Sequence, residues 1–391
     1  MLDKVIELQA NAVKRLEEAL NRNQKELTFK SPTGSGKTFI MAKLMDSMLS
    51  KHDDIVFIVS SLSKAKLAEQ NHNKFKLFLE HGYVKNIKPC LISSETSGEN
   101  ALYIPTSYNV YSLPRDLYNQ RSKLKNQQAL IRFIRLLTDK KIYLIKDECH
   151  IATKNLDELF EHFYKVLNVS ATPKGKPDVE ISEIDAVAAN LIKTVKFTNT
   201  SFNSFNVEDS QYDELSKALE KFIAIKGLYH KHNINPCFII QISNAQAGST
   251  ELQSVINLLT SPRFKDLKYI SVANDPKLCS TNDMLIKANP SKWEKYAVQN
   301  DSLIDVIIFK MKITEGWDIP RACMLFQIRD SKSKQLDEQV LGRVRRNPLL
   351  LEFEKINEKD RELLTTAYVW GIKEQDKSDN HTVPVKLKGN V

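Results

Sequence analysis

Glu26-Leu27-Thr28-Phe29-Lys30-Ser31-Pro32-Thr33-Gly34-Ser35-Gly36-Lys37-Thr38-Phe39-Ile40-Met41 decides how this chain folds. The first five residues read as a strand, and Thr38 onward reads as a helix. The turn between them therefore aims backbone N–H groups and a helix N-terminus at one point, a geometry suited to phosphate oxygens. Gly34 and Gly36 permit close approach, Lys37 is placed to reach β- and γ-phosphates, and Thr38 to help hold Mg²⁺. Pro32, Thr33 and Ser35 complete the expected cradle. Ser31 stands where the general phosphate-loop pattern has glycine.

Outward from this loop, short apolar runs alternate with helical patterns, the signature of α/β architecture with parallel strands. Strands are expected at 26–30, 55–60, 142–146 and 166–169, with helices at 38–49 and 129–137. In the latter, Leu130, Phe133, Ile134 and Leu137 share one apolar face. Periodicity weakens from Pro173-Lys174-Gly175-Lys176-Pro177, and a polar helical segment follows at 212–232. Strands resume at 237–242, 269–273, 306–310, 324–328 and 367–372. The expected division is a first domain over 1–176, a linker and connecting helix over 177–233, and a second domain over 234–391.

A chain of 391 residues is too long for one ordinary core. Hydrophobic residues at 42% and charged residues at 27% fit a globular protein, and the net charge of +9 favours a polyanionic partner, nucleic acid first. No apolar run approaches the roughly 20 residues that span a bilayer, so no membrane role is expected. The five scattered cysteines form no C-x-x-C pair, which points to a reducing, cytoplasmic setting.

Asp147 and Glu148 follow the apolar run Ile142-Tyr143-Leu144-Ile145, at a strand's carboxyl end where such sheets bind ligands. Asp147 is the expected Mg²⁺ ligand, and Glu148 the residue that orients and deprotonates an attacking water. Cys149 is a packed spacer, and the His150 imidazole can bridge the nucleotide site to a facing domain. Gln339, Arg343 and Arg346, spaced i, i+4 and i+7, would share one helical face, with Gly342 allowing close approach. One amide and two guanidinium groups suit a triphosphate, with the arginines stabilising transition-state charge.

In this order the segments resemble superfamily 2 helicases and translocases, which implies two tandem RecA-like domains around a nucleotide cleft. Ser170-Ala171-Thr172 matches that family's coupling motif, so Ser170 and Thr172 are expected, with His150, to link hydrolysis to nucleic-acid contact. Gln9 resembles the glutamine that reads adenine. Thr314-Glu315-Gly316-Trp317-Asp318-Ile319-Pro320 matches the motif lining the cleft from the second domain, which assigns Gly316 and Asp318 to the nucleotide. Glu315 to Asp318, then Arg329-Asp330-Ser331-Lys332-Ser333, then Gln339 to Arg346 resemble the Res subunit of type III restriction enzymes, as does Pro177-Asp178-Val179-Glu180-Ile181-Ser182.

The resemblance implies an ATP- and Mg²⁺-dependent DNA motor with a DNA-methyltransferase modification subunit as partner. The PD-ExK pattern of that family's nuclease domain is not found, so cleavage by this chain is not expected. Nucleic-acid contacts are expected from Ser61, Thr106 and Ser107 in the first domain and from Gln241, Ser243 and Thr314 in the second. The basic run at 121–125, with Arg132 and Arg135, reads as a solvated face with some share in steering. Two alternatives stand beside the DNA motor: an RNA helicase of related architecture, and a non-hydrolysing fragment that binds DNA and a partner.

Overall fold

The computed structural model describes residues 2–62, 67–92, 104–114, 129–137, 139–150, 154–198, 207–243, 247–273, 275–287, 292–310, 319–328, 334–350 and 356–372. Its strands form two seven-stranded sheets. The first contains β1 (Glu26–Lys30), β2 (Ile55–Ser61), β3 (Pro89–Leu91), β4 (Val110–Pro114), β5 (Lys141–Asp147), β6 (Lys165–Ser170) and β7 (Val179–Glu180). Their order is β3-β4-β2-β5-β6-β1-β7, and every pairing is parallel.

The second sheet contains β8 (Thr194–Thr198), β9 (Cys237–Gln241), β10 (Tyr269–Val272), β11 (Ser280–Thr281), β12 (Val306–Phe309), β13 (Ala322–Gln327) and β14 (Thr366–Trp370). The order is β11-β10-β12-β9-β13-β14-β8, parallel except for β10 with β11. The expected fold class is thus the observed one: two mainly parallel sheets flanked by helices, arranged in tandem.

Parallel sheets are covered on both faces, so their central strands are apolar throughout rather than alternating. β2 is buried along its whole length. Phe57 and Val59 pack with Phe29, Leu167 and Val169 under helices α1 (Leu2–Leu20) and α2 (Lys37–Leu49). Val56 and Ile58 face the other way, against Tyr111, Leu144 and α4 (Ala129–Leu136), while α3 (Leu67–Glu80) adds Phe75 to the first side. Leu130, Phe133, Ile134 and Leu137 are all buried, as the helical spacing predicts. α1 buries Val5, Ala12, Leu16, Ala19 and Leu20, a stripe along one helical side.

The span 177–233 is more structured than a linker. Val179–Glu180 is the edge strand beside β1, and Thr194–Thr198 is the edge strand of the second sheet. Between them Ser182 caps a short helix, Glu183–Ala188, its hydroxyl accepting from the Asp185 N–H at 3.0 Å. Lys193 is fully buried in the second domain and donates to the Ala322 carbonyl at 2.8 Å. The polar helix follows as α5 (Val207–His230). Strands of two and five residues with half-polar burial carry too little periodicity to be read from sequence.

The second sheet's helices include α6 (Ala247–Thr260) and α7 (Lys334–Val344). Val340, Leu341 and Val344 of α7 pack against Leu325 of β13 and Val369 of β14. Among the described residues no helix is long and apolar enough to cross a membrane.

Candidate functional site: a cleft between two sheets

Three loops meet at the carboxyl edge of the first sheet. The first leaves β1 and enters α2 through Gly34 (φ 93°) and Gly36 (φ 83°), both in the left-handed region that favours glycine. Gly36 is the N-cap of α2. The amides of a helix's first turn have no intrahelical acceptor, so they are available to an anion. Ser35 braces the loop by donating to the Pro32 carbonyl at 2.7 Å, and its hydroxyl meets that of Ser31. The serine in the pattern's glycine position is therefore built into the loop.

Lys37 reaches back over the loop, its Nζ 3.3 Å from the Ser31 carbonyl and 3.5 Å from that of Pro32. Gln9, from α1, donates to the Ser35 carbonyl at 3.3 Å. A Cβ at Gly36 would lie 2.8 Å from Gln9 Nε2, so α1 fixes the identity of residue 36 by contact as well as by torsion.

The second loop leaves β5. Asp147 is buried at its end, and Glu148 follows at φ 52°, a conformation that turns the chain sharply. Sequence reasoning missed a residue that ties this loop to the first. Asn71 of α3 is 5% exposed. Its Nδ2 donates to Asp147 Oδ2 at 2.9 Å and to Ser61 Oγ at 2.9 Å, and its Oδ1 accepts from Thr38 Oγ1 at 3.3 Å. Thr38 and Asp147 are therefore held beside one another by a shared partner. A hydroxyl and a carboxylate side by side fit the donor set of Mg²⁺, which is bound through one or two carboxylates plus substrate phosphates. Among the described residues no group of three or more His, Cys, Asp or Glu could hold a metal by itself.

The third loop, after β6, meets His150. Its Nδ1 lies 2.8 Å from Ser170 Oγ and 3.3 Å from Glu148 Oε2, and Ser170 Oγ also accepts from the Thr172 N–H at 3.0 Å. Its Nε2 lies 3.2 Å from Gln339 Nε2, on α7 of the second domain. The Gln339 side-chain amide therefore meets the imidazole edge opposite Glu148 and Ser170. The His150 imidazole thus spans the cleft, tying Glu148 and Ser170 to the second sheet.

Further along α7 the approach becomes tighter. A Cβ at Gly342 would lie 2.1 Å from Thr33 Cγ2 and 2.3 Å from Thr33 Cβ. Arg346 lies over Gly34, its Cγ 3.4 Å from where a Cβ would stand. Arg343 is buried. One expectation is corrected: α7 ends at Val344, so Arg346 does not sit on the helical face of Gln339 and Arg343. It is placed instead by an antiparallel bridge to Ile192. Arg345, between them, pairs with Glu183 at 3.0 Å and Glu338 at 3.3 Å, tying this corner to the short helix between the sheets.

The expected nucleic-acid contacts divide. Thr106 and Ser107 are exposed in a turn, and Ser243 is half-buried, with its N–H donating to Glu251 at 2.7 Å. Ser61 and Gln241 are corrections, being 1% and 0% exposed. Ser61 Oγ is taken by Asn71, and Gln241 Oε1 by Gln327 Nε2 at 2.8 Å, so neither presents a side chain to a backbone phosphate. The end of an apolar strand next to a loop resembles a surface position in sequence, and only the neighbouring strand supplies the amide that buries it. Thr314, Gly316 and Asp318, and the basic run at 121–125, lie outside the described residues.

Residues 3–175 match the family described as type III restriction enzyme, res subunit. No curated protein matches the sequence. Among solved structures, a fragment described as an HsdR subunit of a type I restriction enzyme from Vibrio vulnificus YJ016 is similar at 14% identity and a TM-score of 0.55. It covers 93% of this chain and 63% of its own. The DUF1998 helicase MrfA bound to DNA is similar at 14% identity and a TM-score of 0.59, covering 93% and 48%. The ATP-dependent type ISP restriction-modification enzyme LlaBIII bound to DNA has 14% identity and a TM-score of 0.50, covering 92% and 27%. The chain thus spans less than two thirds of each of these structures. Over residues 3–175 this chain is similar to the type III restriction enzyme Res-subunit family, and its two-sheet fold is like that of solved helicase and restriction-enzyme structures.

Proposed function

We propose that the chain is an ATP-dependent DNA translocase or helicase motor of a restriction-modification system, in which ATP closes the cleft and hydrolysis reopens it. The observation that carries this reading is the double contact across the cleft: Gln339 with His150, and Gly342 with Thr33. The proposed roles follow from it. The loop of Pro32, Thr33, Gly34, Ser35 and Gly36, with Lys37, holds the phosphates, and Gln9 meets the base from α1. Thr38 and Asp147 would hold Mg²⁺, which shields phosphate charge when bound. Gly316, Asp318 and Gln339 would line the second-domain side of the nucleotide.

Glu148 takes a proton from the attacking water, which breaks the bond to the γ-phosphate. Its carboxylate stands beside His150, whose opposite nitrogen touches α7, so a change at the phosphate is felt by both sheets. Arg343 and Arg346 stabilise charge on the transferring group, a contribution that can reach ~10³–10⁵ in rate. Release of the cleaved phosphate removes that charge and loosens α7, and His150, Ser170 and Thr172 carry the change toward the nucleic acid, held by Thr106, Ser107, Ser243 and Thr314. DNA is favoured by the Res-subunit domain, which also makes a DNA-methyltransferase subunit the proposed partner, in the cytoplasm. Comparing ATPase stimulation by duplex DNA, single-stranded DNA and RNA tests the assignment. Stimulation by RNA alone would replace DNA motor with RNA helicase.

A further inference from the structure

Asn71 belongs to none of the segments that suggested the site, yet it touches two of them and the end of a third strand. It lies on α3, and its partners are 10, 33 and 76 residues away in sequence. The chemistry of those partners fixes its orientation. Asp147, as a carboxylate, can only accept, so the Asn71 NH₂ must face it, and Oδ1 must face Thr38. Thr38 then has to donate its hydroxyl proton to Asn71. With that proton committed away from the cleft, the lone pairs of Thr38 Oγ1 are left for a cation. The same amide clamps one oxygen of Asp147 and so sets the carboxylate plane.

We propose that Asn71 is the positioning residue of the Mg²⁺ site, orienting both of its protein ligands, and that Ser61 at the end of β2 reports to the site through the same amide. The proposal rests on the nucleotide-cleft reading above. Partners one step outside a metal site typically change metal affinity about 10–100-fold when removed. Asn71 is buried and serves two ligands at once, so its loss belongs in that range. The third bond makes the arrangement more than a brace. A shift of the backbone after Ser61 pulls on the amide that holds Thr38 and Asp147.

The test is a titration of Mg²⁺ into protein with a fluorescent, non-hydrolysable ATP analogue, for the wild type and Asn71→Ala. Nucleotide affinity is read in EDTA and across the Mg²⁺ series. The proposal expects the half-saturating Mg²⁺ concentration to rise about tenfold or more while affinity in EDTA is unchanged. Coincident Mg²⁺ curves overturn it. So does an equal loss of affinity in EDTA, because that is the mark of general loop damage. If the alanine variant does not fold, Asn71→Leu keeps the volume and removes the same bonds, with the same two outcomes. A wild type that binds no nucleotide in either condition overturns the cleft reading itself, a result distinct from failure at Asn71.

Discussion

Replacing Gly342 with alanine adds one methyl group at the point where the two sheets meet. That carbon would lie 2.1 Å from Thr33 Cγ2 and 2.3 Å from Thr33 Cβ. Rotating the Thr33 side chain clears the first contact but not the second, because Cβ is fixed by the phosphate-loop backbone. Ordinary carbon contacts need α7 and the loop to part by about 1.5 Å. Overpacking of this kind costs roughly 1–3 kcal/mol. Gly342 lies within a helix and outside the left-handed region, so alanine itself is well tolerated there and stabilises the helix by about 1 kcal/mol. That gain is the same with the cleft open or closed. Only the clash distinguishes the two states, so closure should weaken about 5- to 150-fold while thermal stability holds or rises. Steady-state ATPase measurements with DNA, alongside a melting curve, read both effects. A Gly342→Ala protein with wild-type kcat and KM would refute the argument that this contact forms during turnover.

Other consequences follow from the same geometry. Glu148→Gln should lower ATP turnover by roughly 10²–10⁴ while nucleotide and nucleic-acid binding survive; ordinary turnover removes Glu148 from its assigned role. Lys37→Ala should lose turnover together with nucleotide affinity, read by the same binding assay. Arg346→Ala should cut kcat by about 10³ or more with little change in binding, and a purely KM effect would make it a binding residue instead. Lys193 gives a pH dependence. Burial pushes its ammonium down from 10.5 to about 8, so above pH 8 the unfolded chain holds the extra proton and stability rises with pH. Above pH 9 the buried thiols oppose this, Cys237 raised to about 12 and Cys323 to about 11. Between pH 8 and 9 the wild type should therefore gain about 1 kcal/mol relative to Lys193→Met in chemical denaturation, and parallel curves would contradict it.

Much of the fold is legible because parallel strands are short apolar runs with sharp ends. Glu26–Lys30 is read to the residue, and the runs that become β5, β6, β9 and β12 shift only at their ends. β3, β7, β8 and β11 are not legible, being edge strands whose pattern is set by a neighbour rather than by their own period, and β4 lies inside the sheet yet is not read from sequence either. The phosphate loop shows itself in sequence because its chemistry is local: glycines, a lysine and a threonine within eight residues. Asn71 stays hidden because its function is made by tertiary contact alone. Arg346 illustrates an intermediate case. Its spacing from Gln339 suggested a shared helical face, while the bridge to Ile192, far away in sequence, carries it to Gly34.

The central claim is that one ATP is gripped by both sheets and spent on nucleic acid. ATP hydrolysis by purified protein, measured without nucleic acid and with duplex DNA, single-stranded DNA or RNA, tests it most directly. The account predicts low basal turnover that rises with DNA and is lost in Glu148→Gln. Folded protein that hydrolyses no ATP with any nucleic acid would contradict it.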